Sequence, residues 1–84
     1  MNNTNYELMF EDALAVIYGM PVGTMFVARD LFKGTEWNSL EKGSRLGFGG
    51  FFKRKVMQNL VPNVQYIGKK DNNSAQYMKY DVQN

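Results

Sequence analysis

The last third of this 84-residue chain constrains its fold most, because it offers two strands and nothing adjacent for them to pair with. Val64-Gln65-Tyr66-Ile67-Gly68 and Gln76-Tyr77-Met78-Lys79-Tyr80-Asp81-Val82 are rich in aromatic and β-branched residues. Between them, Lys69-Lys70-Asp71-Asn72-Asn73-Ser74 reads as the polar turn of a hairpin. A two-stranded hairpin alone is marginal in water, so a third strand has to arrive from elsewhere in the chain. The segment with the right character is Thr24-Met25-Phe26-Val27, opened by the turn signals Pro21 and Gly23. That segment is too short to stand alone, so as a strand it must pair with something distant in sequence, and the hairpin is the expected partner.

The residues before that segment, and those between it and the hairpin, read as helices. Thr4 followed by Glu7 fits a capping box. Tyr6, Phe10, Ala13, Leu14 and Ile17 then recur at helical spacing, with Glu11 and Asp12 outside the stripe. Gly19 suits a left-handed cap and Pro21 forbids continuation, which predicts a helix over residues 5–18. A short helical piece is predicted around Arg29–Lys33, broken by Gly34. Thr35–Leu40 reads as a further helical turn or a tight loop, with Trp37, the only tryptophan, as a core or inter-helix plug.

The longest predicted helix runs from Ser44 to Leu60, with Phe48, Phe52 and Val56 on its buried side and Pro62 beyond its end. Phe51 and Phe48 are not both expected to point inward with Phe52. Gly47, Gly49 and Gly50 each cost about 1 kcal/mol relative to alanine inside a helix, so something must offset them. A close helix crossing is the expected reason for Gly49. For Gly47 and Gly50 either a crossing or close backbone approach by a ligand fits. The run Gly47-Phe48-Gly49-Gly50 is not a phosphate loop, since no buried strand precedes it and no lysine-serine or lysine-threonine pair follows at the required spacing.

Composition then excludes most chemistry. The chain has no cysteine and no histidine, which removes disulfides, thiolate nucleophiles, the commonest metal ligand and the commonest general base. The eight carboxylates form no paired motif and no metal spacing, so no catalytic residue, metal or cofactor is expected. No apolar run approaches a membrane span and the first residues lack the basic segment of a secretory signal, so a cytoplasmic protein is expected. The size predicts one domain over residues 1–84, with flexible ends at 1–4 and 83–84.

The net charge of +2 conceals an asymmetry. Residues 1–41 carry six acids and two bases, a balance of −4, whereas residues 42–84 carry eight bases and two acids, a balance of +6. A basic half of this kind predicts a polyanionic partner, the alternative being a solvated face.

Helix, short strand, helix, helix, strand, basic turn, strand is the element order of a winged helix-turn-helix, an α+β fold. The pattern Gly23-x-x-Phe26-x-x-x-Asp30-Leu31, Trp37-x-x-Leu40 and Arg45-x-x-Phe48-Gly49-x-x-Phe52-x-x-x-Val56, over about residues 20–60, resembles small winged-helix proteins of phages, plasmids and bacterial genomes. Those relatives usually carry leucine where this chain has Phe48, and often a basic residue where it has Gly50, so no base contact is carried over to position 50. The resemblance implies a DNA-binding protein in transcription or replication control, with the third helix in the major groove of double-stranded DNA and the wing on the backbone. The expected DNA contacts are Ser44, Arg45, Lys53, Arg54 and Lys55 on the helix, and Lys69, Lys70 and Asn72 on the wing. Arg45 is equally a candidate for an ion pair with Asp30 or Glu36. Helical geometry sets Lys53 and Arg54 apart from Arg45 and Lys55. The rival reading is an interaction module for a protein partner, or a homodimer, using the acidic first helix and surplus aromatics or Met57.

Overall fold

The structure, a computed structural model, describes residues 5–70 and 74–81. The predicted capping residue Thr4, Asn72 and Asn73 of the predicted wing tip, and both predicted flexible ends lie outside the described residues. Helix α1 spans Tyr6–Tyr18, strand β1 Met25–Val27, a 3-10 turn Ala28–Leu31, helix α2 Gly34–Asn38, helix α3 Lys42–Met57, strand β2 Val64–Lys69 and strand β3 Ala75–Lys79. The three strands form one antiparallel sheet in the order β1-β3-β2. The distant segment thus supplies the third strand, with Phe26 opposite Tyr77 and Tyr66 opposite Tyr77 on the other side. At Ile67 the β2 strand carries one extra residue, and Gly68 takes it up at φ 112°, a backbone conformation open to glycine.

Helix α1 begins one residue later than a Thr4 cap requires. Asn5 caps it, its side chain accepting the Leu8 N–H at 3.1 Å. Its other end corrects a second expectation, because Gly19 sits at φ −88° rather than in the left-handed region. The final carbonyls find a different partner: the buried Lys79 ammonium on β3 donates to the oxygens of Ile17 and Tyr18. A cation at a helix C-terminus satisfies orphan carbonyls and meets the negative end of the helix dipole, so no glycine cap is needed.

The left-handed cap belongs to α3 instead. Asn59 at φ 61° stops the helix, with Leu60 N donating to Lys55 O and Asn59 N to Val56 O, the bond pair of a Schellman motif. The helix therefore ends at Met57, short of the predicted Leu60. It also starts earlier, at Lys42, and Gly34 opens α2 rather than breaking a helix.

The core is an aromatic cluster centred on Phe48, which is fully buried and meets the rings of Tyr6, Phe32, Trp37, Phe51 and Phe52 at centroid distances of 5.3–6.4 Å. Phe48, Phe51 and Phe52 all turn inward, against expectation. The i, i+3, i+4 spacing gives one broad face, and α1 lies over it so that Phe51 packs between Tyr6 and Phe10.

The glycines of α3 divide differently from the sequence reading. A Cβ on Gly47 would stand 2.1 Å from the Tyr6 hydroxyl oxygen and 2.9 Å from its ring carbon, whereas at Gly49 nothing lies within 4 Å. The close approach is at Gly47. Gly47→Ala will destabilise the domain by about 1–2 kcal/mol, because forcing the Tyr6 ring off Phe48 outweighs the helix-propensity gain. Gly49→Ala will stabilise it by about 0.5–1 kcal/mol. Urea unfolding of the two variants checks both signs.

Tyr77 is 1% exposed and packs against Phe26, Phe52 and Tyr66, and its hydroxyl has no hydrogen-bond partner among the described residues. Burial, with a smaller contribution from Tyr66, pushes the phenol up from 10.0 to about 12. The folded state thus disfavours the phenolate. Stability is unaffected below pH 10 and falls as pH rises towards 12, by about 2–3 kcal/mol in total. Tyr77→Phe will remove this alkaline loss and leave stability at pH 7 unchanged or up to about 1 kcal/mol higher, since it deletes an unsatisfied buried hydroxyl. Thermal unfolding at pH 8 and pH 11 measures both effects.

Candidate nucleic-acid interface

One stripe of α3 faces away from the core: Lys42, Arg45, Leu46, Gly49, Gly50 and Lys53, at spacings of three, four, seven, eight and eleven from Lys42. Opposite it stand Val27 at the end of β1, Ala28 and Arg29 just after it and, at the turn end of the hairpin, Lys69, Ser74 and Ala75. Together they enclose a cleft of about 570 Å³, with Trp37 and Tyr77 also in its lining. Among the described residues of the lining, five are cations (Arg29, Lys42, Arg45, Lys53 and Lys69) and none is a carboxylate. The β1–β3 pairing places Arg29 here, carrying a residue of the acidic half across to the basic one.

Local structure holds several of these groups. The Lys53 ammonium lies 4.7 Å from the centre of the Tyr66 ring on β2, a cation–π contact that aims the side chain along the sheet side of the cleft. Arg45 is half-buried and forms no ion pair among the described residues. Asp30, one of its expected partners, instead turns its carboxylate back to accept the Val27 N–H at 3.0 Å. Gly49 and Gly50 leave the middle of the helix stripe bare, so a ligand backbone can approach the helix there. Leu46 is 68% exposed in the same stripe.

Of the eight predicted contact residues, the structure brings Arg45, Lys53 and Lys69 into the cleft. Lys55 is turned away, its ammonium over the Phe10 and Phe51 rings at 5.8 and 5.1 Å. The expected grouping of Arg45 with Lys55 is thus replaced by Arg45 with Lys53. Arg54 is exposed beside Gly50 but is outside the cleft lining. Ser44 and Lys70 are also outside the lining. Lys70 N donates to Ser74 O at 2.9 Å in the turn, and Asn72 lies outside the described residues. Arg29 and Lys42 were not anticipated. Lys42 had a sequence signal, since it continues the Leu46, Gly49, Lys53 stripe one turn back, but a helix begun at Ser44 omits it. Arg29 had none.

Among the described residues no helix is long and apolar enough to cross a membrane, and no group of three or more His, Cys, Asp or Glu side chains is placed to hold a metal ion.

Comparison with solved structures finds a chain named "SCCmec type IV LP1413 - nucleic acids binding protein", which matches with a TM-score of 0.70 at 20% identity. The match covers 100% of this chain and 99% of that one, so the two share a fold over their whole lengths. No curated protein matches. The model of a family described as "Domain of unknown function (DUF1413)" matches residues 11–79, which include every element from the middle of α1 to the end of β3 and all five cleft cations. The chain belongs to the DUF1413 family.

Proposed function

We propose that this protein binds nucleic acid through the basic cleft, with the phosphodiester backbone held between α3 and the turn end of the hairpin. The observation that carries this reading is the five cations, unopposed by any carboxylate among the described residues of the lining, that join α3 to the hairpin across a single cleft. A solvated basic face would not need to be concave. Electrostatic focusing in a cleft lined by one sign of charge favours a polyanion. The name of the structural neighbour, a nucleic acids binding protein, supports the same reading.

In its finer form the fold is a winged helix on double-stranded DNA, in a cytoplasmic protein of transcription or replication control. The bare stripe at Gly49 and Gly50 admits a close backbone, and Leu46 offers an apolar contact such as a thymine methyl accepts. Lys69 clamps from the hairpin side.

Fluorescence anisotropy on one sequence, as duplex and as single strand, across a salt series tests both levels. If all five cations meet phosphates, log K against log salt will slope by about −4 to −5 on duplex and about −3 to −4 on a single strand. Absence of binding to either form at low salt overturns the function. A preference for the single strand overturns the duplex assignment and leaves the cleft assignment standing.

A further inference from the structure

A second groove, of opposite character, lies between α1, the 3-10 turn and α2. Met9, Val16 and Leu40 contribute to its apolar walls, and Asp12, Asp30 and Glu36 supply carboxylates around a space of about 650 Å³. Lys33 is the one cation in its lining. Val16 is 43% exposed, and neither Asp12 nor Glu36 has an ion-pair partner among the described residues. Three carboxylates beside open apolar surface repel nucleic acid and favour a polypeptide that is both basic and apolar.

The chain itself carries such a surface. At and just beyond the C-terminal end of α3, Arg54, Met57 and Leu60 are exposed, the last two by 60% and 51%. None of the three lines the basic cleft, so they are left over after the nucleic-acid site is accounted for. Their chemistry complements the groove: a cation for its carboxylates and two large apolar side chains for its walls.

We propose that copies of this protein associate head to tail, the Arg54–Met57–Leu60 end of α3 in one copy entering the acidic groove of the next. Donor and acceptor surfaces differ, so the contact is heterologous and each copy keeps one unused half of it. Assembly can therefore extend beyond a dimer. Because the contact leaves Arg45, Lys53 and Lys69 free, every copy in such an array keeps its basic cleft open.

The test is sedimentation velocity of the full chain without nucleic acid, from about 10 µM to about 1 mM, in roughly 50 mM and 500 mM salt. Average mass will rise with concentration at low salt and fall back at high salt, with an apparent affinity at least about tenfold weaker in the latter. Asp12→Lys with Glu36→Lys removes the acceptor, and Arg54→Ser with Met57→Ser removes the donor. All four positions are exposed, so both variants will keep the wild-type circular dichroism spectrum. Each variant alone will be monomeric. Mixed in equal amounts they will form a dimer and stop there, since only one intact contact remains. A wild type that stays monomeric at low salt, an association that neither variant abolishes, or a mixture that stays monomeric overturns the proposal.

Discussion

Replacing Arg45 and Lys53 together by glutamine will weaken nucleic-acid binding roughly 25- to 60-fold at about 0.1 M salt and make the salt slope shallower by about 1.4–1.8. The magnitude follows from counterion release. Each neutralised phosphate contact contributes about 0.7 to 0.9 to the slope, single strand to duplex, and so a factor of roughly five to eight at that salt. The paired control is Lys55→Gln with Lys70→Gln, which removes the same charge from residues outside the cleft lining. That variant will bind within about twofold of wild type, because it takes away no phosphate contact. Two variants of equal net charge that lose affinity equally would show that binding responds to total charge rather than to the cleft. Loss of the Lys53–Tyr66 contact costs about 0.5–1 kcal/mol of stability, so the measurement belongs well below the unfolding transition.

Phe48→Ala will cost about 3–5 kcal/mol, a large part of the stability of so small a domain. At typical values per residue, 84 residues supply a total of roughly 4–13 kcal/mol. The cost is high because Phe48 touches five other rings, drawn from α1, α2, α3 and the segment between the 3-10 turn and α2. None of them can move into the vacancy without leaving another. Phe48→Leu, which keeps most of the volume, will cost about 1–2 kcal/mol. Urea denaturation of the two variants gives the comparison. An alanine variant as stable as the leucine one would mean that the cluster collapses around the gap.

Much of the fold was legible because it rests on local chemistry and on one topological necessity. Phe10, Ala13 and Ile17 on α1, and Phe48, Phe52 and Val56 on α3, are buried as their spacing predicts. The hairpin needed a third strand, and residues 25–27 supply it. Where local signals competed, the outcome was less readable. Gly19 looks like a left-handed cap by sequence, yet the cap it would provide is supplied by Lys79, sixty residues away. By sequence the close crossing belongs to Gly49 and Gly47 stays open, whereas the structure puts the crossing at Gly47. Only the seating of Tyr6 over Gly47 makes glycine necessary there and optional at Gly49.

The candidate site divides along the same line. Helical spacing sets Lys53 apart from Lys55, but the same reading groups Arg45 with Lys55. By starting the helix at Ser44 it also leaves Lys42 off the stripe that it shares with Leu46, Gly49 and Lys53. Charge counting identified the basic half, since composition is additive along a sequence. What faces that stripe is a different kind of fact. Arg29 reaches the cleft because β1 pairs with β3, and Lys69 because the hairpin folds back over α3. Lys55 is withdrawn because the rings of Phe10 and Phe51 lie beneath it. Sequence by itself thus determined the elements, the buried stripes and the sign of the surface. Tertiary structure alone decided which charges share a cleft, because Coulomb energies depend on distances through space, and contacts between remote segments set those distances.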